Sequence, residues 1–138
     1  ESGILIVNDA YNANPESTIA ALRTLTLLAQ ERGGVSWAFL GKMHELGESS
    51  ATEHGRVGKI AADIGIDNLI AVGESNYLND LKSGDTMAVN LSNKEEVSAY
   101  IKYFEPGDVI LVKASRAEKF ETIASEIESA LQERGPLE

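Results

Sequence analysis

Three short polar stretches hold most of the chemistry this sequence offers. The first is Asn8-Asp9-Ala10-Tyr11-Asn12-Ala13-Asn14-Pro15, a carboxylate, a phenol and three amides in eight positions. A carboxylate just past a strand can accept hydrogen bonds from a ribose diol, as in dinucleotide-binding folds. Asp9 and Asn12 can equally well tie the turn, and for Asp9 the two readings balance. Asn14, ahead of Pro15 and Glu16, reads foremost as a helix N-cap. The second stretch is Gly41-Lys42-Met43-His44-Glu45-Leu46-Gly47-Glu48. His44-Glu45 suggests zinc, but a metalloprotease pattern needs a second histidine where Glu48 stands. The chain has no cysteine and 2 histidines in all, so a structural zinc site is not expected. Gly41-Lys42 is no P-loop either, because Met43 follows the lysine and no glycine stands five positions before Gly41. His54 falls on the polar side of its helical pattern and reads as a solvated surface histidine. The third stretch, Lys113-Ala114-Ser115-Arg116-Ala117, sets two cations and a hydroxyl between a strand and a helix. That grouping suits a carboxylate or phosphate, or else Lys113 and Arg116 merely offset Glu118 and Glu121.

The elements around these stretches alternate. Residues 4–7 are apolar and β-branched and read as a strand. Asn14-Pro15-Glu16 opens a helix whose face is Ile19, Leu22, Leu25, Leu28 and Ala29, and Gly33-Gly34 stops it. Residues 35–40 form the next strand, with Trp37 as core. Ser50 and Glu53 fit a capping box, followed by Val57, Ile60, Ala61 and Ile64. Residues 68–72 read as a third strand, 77–81 as a short helix and 86–89 as a weaker strand. Ser92 and Glu95 again fit a capping box, before an apolar face of Val97, Tyr100, Ile101 and Phe104. Pro106-Gly107 turns the chain into a strand over 109–112, and Phe120, Ile123, Ala124, Ile127 and Leu131 mark a last amphipathic helix. Alternation with short connections predicts an α/β fold: a Rossmann-like, doubly wound, mainly parallel sheet with helices on both faces, and one domain over residues 1–138. Ligands in such folds sit beyond the carboxyl ends of the strands. The loops to inspect are therefore 8–14, 41–48, 73–76 and 113–116.

Composition narrows the partners. Of 138 residues, 12 are basic and 22 acidic, a formal charge of -10. So acidic a surface repels nucleic acid and anionic lipid, although a local anion pocket can still form from a helix start and a few cations. No apolar run reaches the length of a membrane span. The start, Glu1-Ser2-Gly3, lacks the basic stretch of a secretion signal, and with no cysteine the expected location is the cytoplasm. Leu137-Glu138 reads as a cloning remnant.

The three stretches together resemble one family, the muramoyl-tripeptide D-alanyl-D-alanine ligases among the Mur ligases. Residues 8–17 resemble its "DxYNANPxS" segment. Residues 40–47 with Glu53-His54 and Gly58 resemble "LGxMxELG…H…VG". Gly107-Asp108 through Lys113-Ala114-Ser115-Arg116-Ala117 resemble "GDxxLVKGSRA". The motifs keep the family order over about residues 4 to 120. Lys42 stands where the family has aspartate and Ala114 where it has glycine, and an alanine there needs a backbone angle compatible with a side chain. The family's antiparallel edge strand is not evident.

The resemblance implies a function that the spacing does not. Such ligases join D-alanyl-D-alanine to UDP-N-acetylmuramoyl-tripeptide in peptidoglycan synthesis, using ATP and Mg2+ to activate the tripeptide carboxylate as an acyl phosphate. This chain would be their carboxy-terminal domain, without the amino-terminal domain and the central P-loop ATPase. It would be inactive alone and would bind no cofactor tightly. By the resemblance Asp9, Tyr11, Asn12 and Asn14 face the nucleotide. Lys113, Ser115, Arg116, Met43 and Glu45 face the dipeptide or the phosphate side. Two other readings are a free-standing nucleotide-binding or regulatory Rossmann-like module and a folate-polyglutamate-type ligase domain; the Tyr11–Pro15 run argues against the latter.

Overall fold

The computed structural model describes residues 3–10, 13–82, 84 and 86–134. Strands β1 (Leu5–Asp9), β2 (Ser36–Leu40), β3 (Asn68–Val72), β4 (Met87–Leu91) and β5 (Val109–Lys113) form one sheet in the order β1-β5-β2-β3-β4. Every neighbouring pair among them is parallel. β2, β3 and β5 are buried along their whole length, as continuous apolar runs in a doubly covered sheet should be. β1 and β4 are the edges.

Each strand serves two cores. Ala38, Leu40, Leu69, Ala71, Val109 and Leu111 point to one face. There they meet Ile19, Leu22, Leu25 and Ala29 of helix α1 (Pro15–Arg32) and Val57 and Ala61 of α2 (Ser50–Asp63). The alternate residues Trp37, Phe39, Ile70, Val72, Ile110 and Val112 point to the other face. They meet Val97, Ile101 and Phe104, from and just after the 3-10 helix Lys94–Tyr103, and Phe120, Ile123, Ile127 and Leu131 in and around α3 (Glu121–Arg134). The period of two along each strand thus sorts side chains onto both faces. The expected doubly wound α/β architecture is present, and among the described residues its sheet is wholly parallel.

Local chemistry sets the boundaries. Asn14 is the N-cap of α1: its Oδ1 accepts from the Ser17 amide at 2.8 Å, and the Ser17 hydroxyl accepts from the Asn14 amide at 3.1 Å. Gly33 closes the helix with φ 70°. The two expected capping boxes need correction. At α2 a 3-10 turn, Gly47–Ser49, runs straight into the helix, and the Ser50 amide reaches the Gly47 carbonyl. No serine cap is required, and Glu53 pairs instead with Arg56 at 2.8 Å. Before the 3-10 helix Lys94–Tyr103 the box lies one residue later than expected, with the Glu96 carboxylate accepting from the amides of Ser92 and Asn93. The short helix expected over 77–81 is a 3-10 turn at Ser75–Leu78, and the weak strand over 86–89 runs from Met87 to Leu91.

His54 is also corrected: it is fully buried, not solvated. α2 is covered on its outer side by the Ser75–Leu78 turn, and Gly58 permits the contact, since a Cβ there would lie 1.8 Å from the Tyr77 carbonyl oxygen. The Tyr77 ring meets the His54 ring edge-on at 4.9 Å.

One buried carboxylate ties the amino end of the sheet. Asp108 accepts from the Val35 amide at 3.0 Å, the Trp37 indole at 3.2 Å and the Glu105 amide at 3.0 Å. Replacing it leaves three donors without an acceptor, at about 1–3 kcal/mol for each one that water cannot reach. Asp108→Ala is expected to lower the unfolding free energy by about 3 kcal/mol or more, read by urea denaturation. A loss under about 1 kcal/mol would mean that water replaces the carboxylate.

Candidate functional site

The loops leaving β1 and β2 run to the face of α1 and α2, whereas the loop leaving β5, between them, runs to the face of α3. Adjacent strands whose connections part to opposite faces open a crevice at their carboxyl ends, the usual ligand position in this class of sheet. All three polar stretches meet there.

Asp9 ends β1, Lys113 ends β5, and the two are register partners. The Lys113 ammonium donates to Asp9 Oδ2 at 2.6 Å. The lysine side chain is 3% exposed and the aspartate 44%. The pair therefore shows solvent a carboxylate with a cation beneath it. Asp9 keeps room to accept hydrogen bonds from a ligand's hydroxyls, while Lys113 reaches an incoming anion only from below. Tyr11 and Asn12 lie outside the described residues. The carboxamide oxygen of Asn14 is engaged in starting α1.

Ser115 is committed to joining loops. Its amide donates to the Lys42 carbonyl at 3.1 Å. Its hydroxyl accepts from the His44 amide at 2.8 Å and donates to the Ala13 carbonyl at 3.4 Å. One residue after β5 thus links the segments that follow β1 and β2. A second link is the His44 ring against the Glu118 carboxylate. Arg116 is exposed and makes no ion pair with any described residue. Glu118 is held by His44, so the reading in which Arg116 balances that acid does not describe this structure.

The loop after β2 is fixed at nearly every backbone position. The Gly41 amide donates to the Lys113 carbonyl at 2.9 Å. The Gly41 carbonyl accepts from the Tyr77 hydroxyl at 2.6 Å. Burial pushes the Tyr77 phenol far above its usual range, with Glu74 and Glu118 adding to the effect, so it stays a donor. The Met43 amide donates to His54 Nε2 at 2.9 Å. Met43 requires correction as a residue reaching a ligand: its side chain is fully buried in the core beneath the loop, its sulfur accepting from the Thr18 hydroxyl at 3.7 Å. Its thioether anchors the loop. Lys42 and Glu45 are exposed, and Glu45 has φ 66°.

Ala114, the alanine in place of glycine, sits without a left-handed backbone, since Glu45 and Lys119 are the non-glycine residues with positive φ among those described. Its methyl fills space beside Gly41, where a Cβ would come within 2.8 Å of it. Sequence reasoning found the residues that end strands and missed the two that support the loop from below, His54 and Tyr77. The available signal was Gly55 and Gly58 beside His54, small residues that mark a closely packed helix face. Among the described residues no three His, Cys, Asp or Glu side chains gather to hold a metal.

The family model described as "Mur ligase, glutamate ligase domain" matches residues 1–116. The UDP-N-acetylmuramoyl-tripeptide--D-alanyl-D-alanine ligase of Bacillus subtilis (strain 168) is 35% identical over 137 residues, covering 95% of this chain and 30% of that protein. The ligase of the same name from Mycobacterium tuberculosis (strain ATCC 25618 / H37Rv) is 35% identical over 136 residues, covering 83% of this chain and 27% of that protein. The crystal structure of MurF ligase from Thermotoga maritima in complex with ADP superposes with a TM-score of 0.80 at 29% identity, covering 98% of this chain and 30% of that one. The chain thus spans less than a third of the length of these relatives, and over that span both the sequence and the fold assign it to the Mur ligase family.

Proposed function

We propose that residues 1–138 work as the carboxy-terminal domain of an ATP-dependent ligase that joins D-alanyl-D-alanine to UDP-N-acetylmuramoyl-tripeptide. The observation that carries the reading is the pairing of offers at one crevice: a half-exposed carboxylate at the end of β1, and after β5 an exposed guanidinium that forms no ion pair with any described residue. A nucleotide ribose suits the first. A free carboxylate, such as the dipeptide's, suits the second, because a guanidinium can grip it with two parallel hydrogen bonds.

In this reaction the tripeptide carboxylate takes the γ-phosphoryl group of ATP and ADP is released. The dipeptide amine then attacks the acyl carbon and inorganic phosphate departs. Phosphoryl transfer depends on positioning and on charge stabilisation by magnesium and a P-loop. No carboxylate cluster among the described residues fits magnesium, so on this reading the metal and the phosphates are held by the central domain of the intact ligase. This domain supplies a ribose contact and a dipeptide contact, and it closes the site. Asp9 is the residue assigned to the ribose, and Arg116 to the dipeptide carboxylate. Ser115 and Met43 hold the loops, and Lys42 and Glu45 are the exposed side chains of the β2 loop. The expected location is the cytoplasm; no described helix is long and apolar enough to cross a membrane.

Three outcomes test the assignment. The 138-residue chain titrated with ATP by calorimetry is expected to bind weaker than micromolar, because a few hydrogen bonds of about 0.5–1.5 kcal/mol each do not offset the cost of association. Tight binding would put the nucleotide site elsewhere. In the intact ligase, Asp9→Asn is expected to raise KM for ATP about tenfold or more, the loss of one charged hydrogen-bond acceptor worth about 1.5–3 kcal/mol. Arg116→Ala should instead raise KM for D-alanyl-D-alanine by at least a comparable factor, with Arg116→Lys recovering part of it. If both substitutions move the same substrate constant, the division of roles is wrong.

A further inference from the structure

Loop 41–46 carries Lys42, His44 and Glu45, and one of its residues holds a left-handed backbone. Glu45 holds φ 66°, a region that a non-glycine residue occupies only when its surroundings impose it. The surroundings that do so are unusual for a surface loop. His54 is wholly buried yet spends neither nitrogen on solvent. Its Nδ1 lies 2.7 Å from the Ser50 carbonyl oxygen, an acceptor, so the ring proton is on Nδ1. Nε2 is then an acceptor by necessity, and the Met43 amide donates to it at 2.9 Å. Helix α2 thus fixes the tautomer through its own backbone, and the tautomer fixes the loop. The Tyr77 ring packs edge-on against His54 and its hydroxyl holds the Gly41 carbonyl. Apolar burial alone would be served as well by a leucine; a histidine with both nitrogens satisfied locally is explained by the amide it holds.

We propose that His54 is a positioning residue: through the Met43 amide it fixes the loop that presents Lys42 and Glu45 to the incoming substrate. This rests on the reading that the crevice receives the dipeptide, and it adds to that reading a residue that never touches a ligand. Two carboxamides separate its parts. Glutamine is long enough to place an acceptor where Nε2 stands; asparagine reaches only as far as Nδ1 and serves Ser50 alone. Both remove the ring from Tyr77, so both cost similar stability.

The experiment compares His54→Gln with His54→Asn. In the 138-residue chain, amide exchange followed by NMR is expected to be about tenfold or more faster at Met43 in the asparagine variant, with Ile70 in β3 alike in the two. In the intact ligase, the asparagine variant should show a KM for D-alanyl-D-alanine about tenfold above that of the glutamine variant, with the KM for ATP alike in both. In the unaltered chain, nitrogen-15 spectra should show His54 protonated at Nδ1 and bare at Nε2, a measurement that needs no variant to fold. Equal exchange at Met43 in the two variants, or the opposite tautomer, overturns the positioning role. Separated exchange with an equal dipeptide KM leaves the hold of His54 on the loop intact and overturns the assignment of that loop to the dipeptide.

Discussion

An ammonium withdrawn from water must be given charge and hydrogen bonds in return, or it does not stay charged. Lys113, at the end of a strand buried along its whole length, receives them in part from Asp9 on the neighbouring edge. That one contact ties the edge strand β1 to its neighbour β5, in a register where both strands finish level. From there the carboxyl ends of β1, β5 and β2 share a rim. The loops that follow can then be stitched to one another by Ser115, His44 and the backbone of residue 41. A slip of one residue in that register would put Lys113 on the opposite face, and the rim would lose its level.

The rim divides its polar groups into two kinds. Some are consumed internally: the Asn14 amide oxygen, the Ser115 hydroxyl, the His54 ring and the Tyr77 phenol each already have a protein partner. Others remain outward: the exposed edge of Asp9, Lys42, Glu45 and Arg116. A residue type alone does not tell one kind from the other. Serine after a strand and histidine in a helix are as suited to a ligand as to a neighbouring amide, and only the geometry assigns them.

This explains what could be read in the sequence and what could not. Alternating strand and helix patterns are local, so the elements and both faces of the core were legible from apolar spacing and from Asn14, Pro15 and Gly33. Polar residues at strand ends were legible for the same reason. The position of β5 between β1 and β2 depends on contacts a hundred residues apart, and no local pattern encodes it. His54 was misjudged because its helix was weighed by its apolar residues. The glycines at 55 and 58, which bring the Tyr77 segment down over that face, contribute nothing to such a weighing. Met43 was misjudged because a loop residue is assumed to face outward, whereas here the loop dips and its thioether becomes core.

The placement of β5 between β1 and β2 also has a meaning in time. A ribosome delivers β1 first and β5 last of the strands, and the ladder partner of Asp9 lies 104 residues downstream of it. Until that partner emerges, β1 has no neighbour in the sheet and β2 has one open flank, both lined with unpaired amides and carbonyls. Large sequence separation slows folding and leaves edges exposed in the interval. Until β5 is made, β2, β3 and β4 can pair with one another while β1 stays apart, and the strand that joins them also brings Lys113 and Ser115, the two residues that draw the rim together.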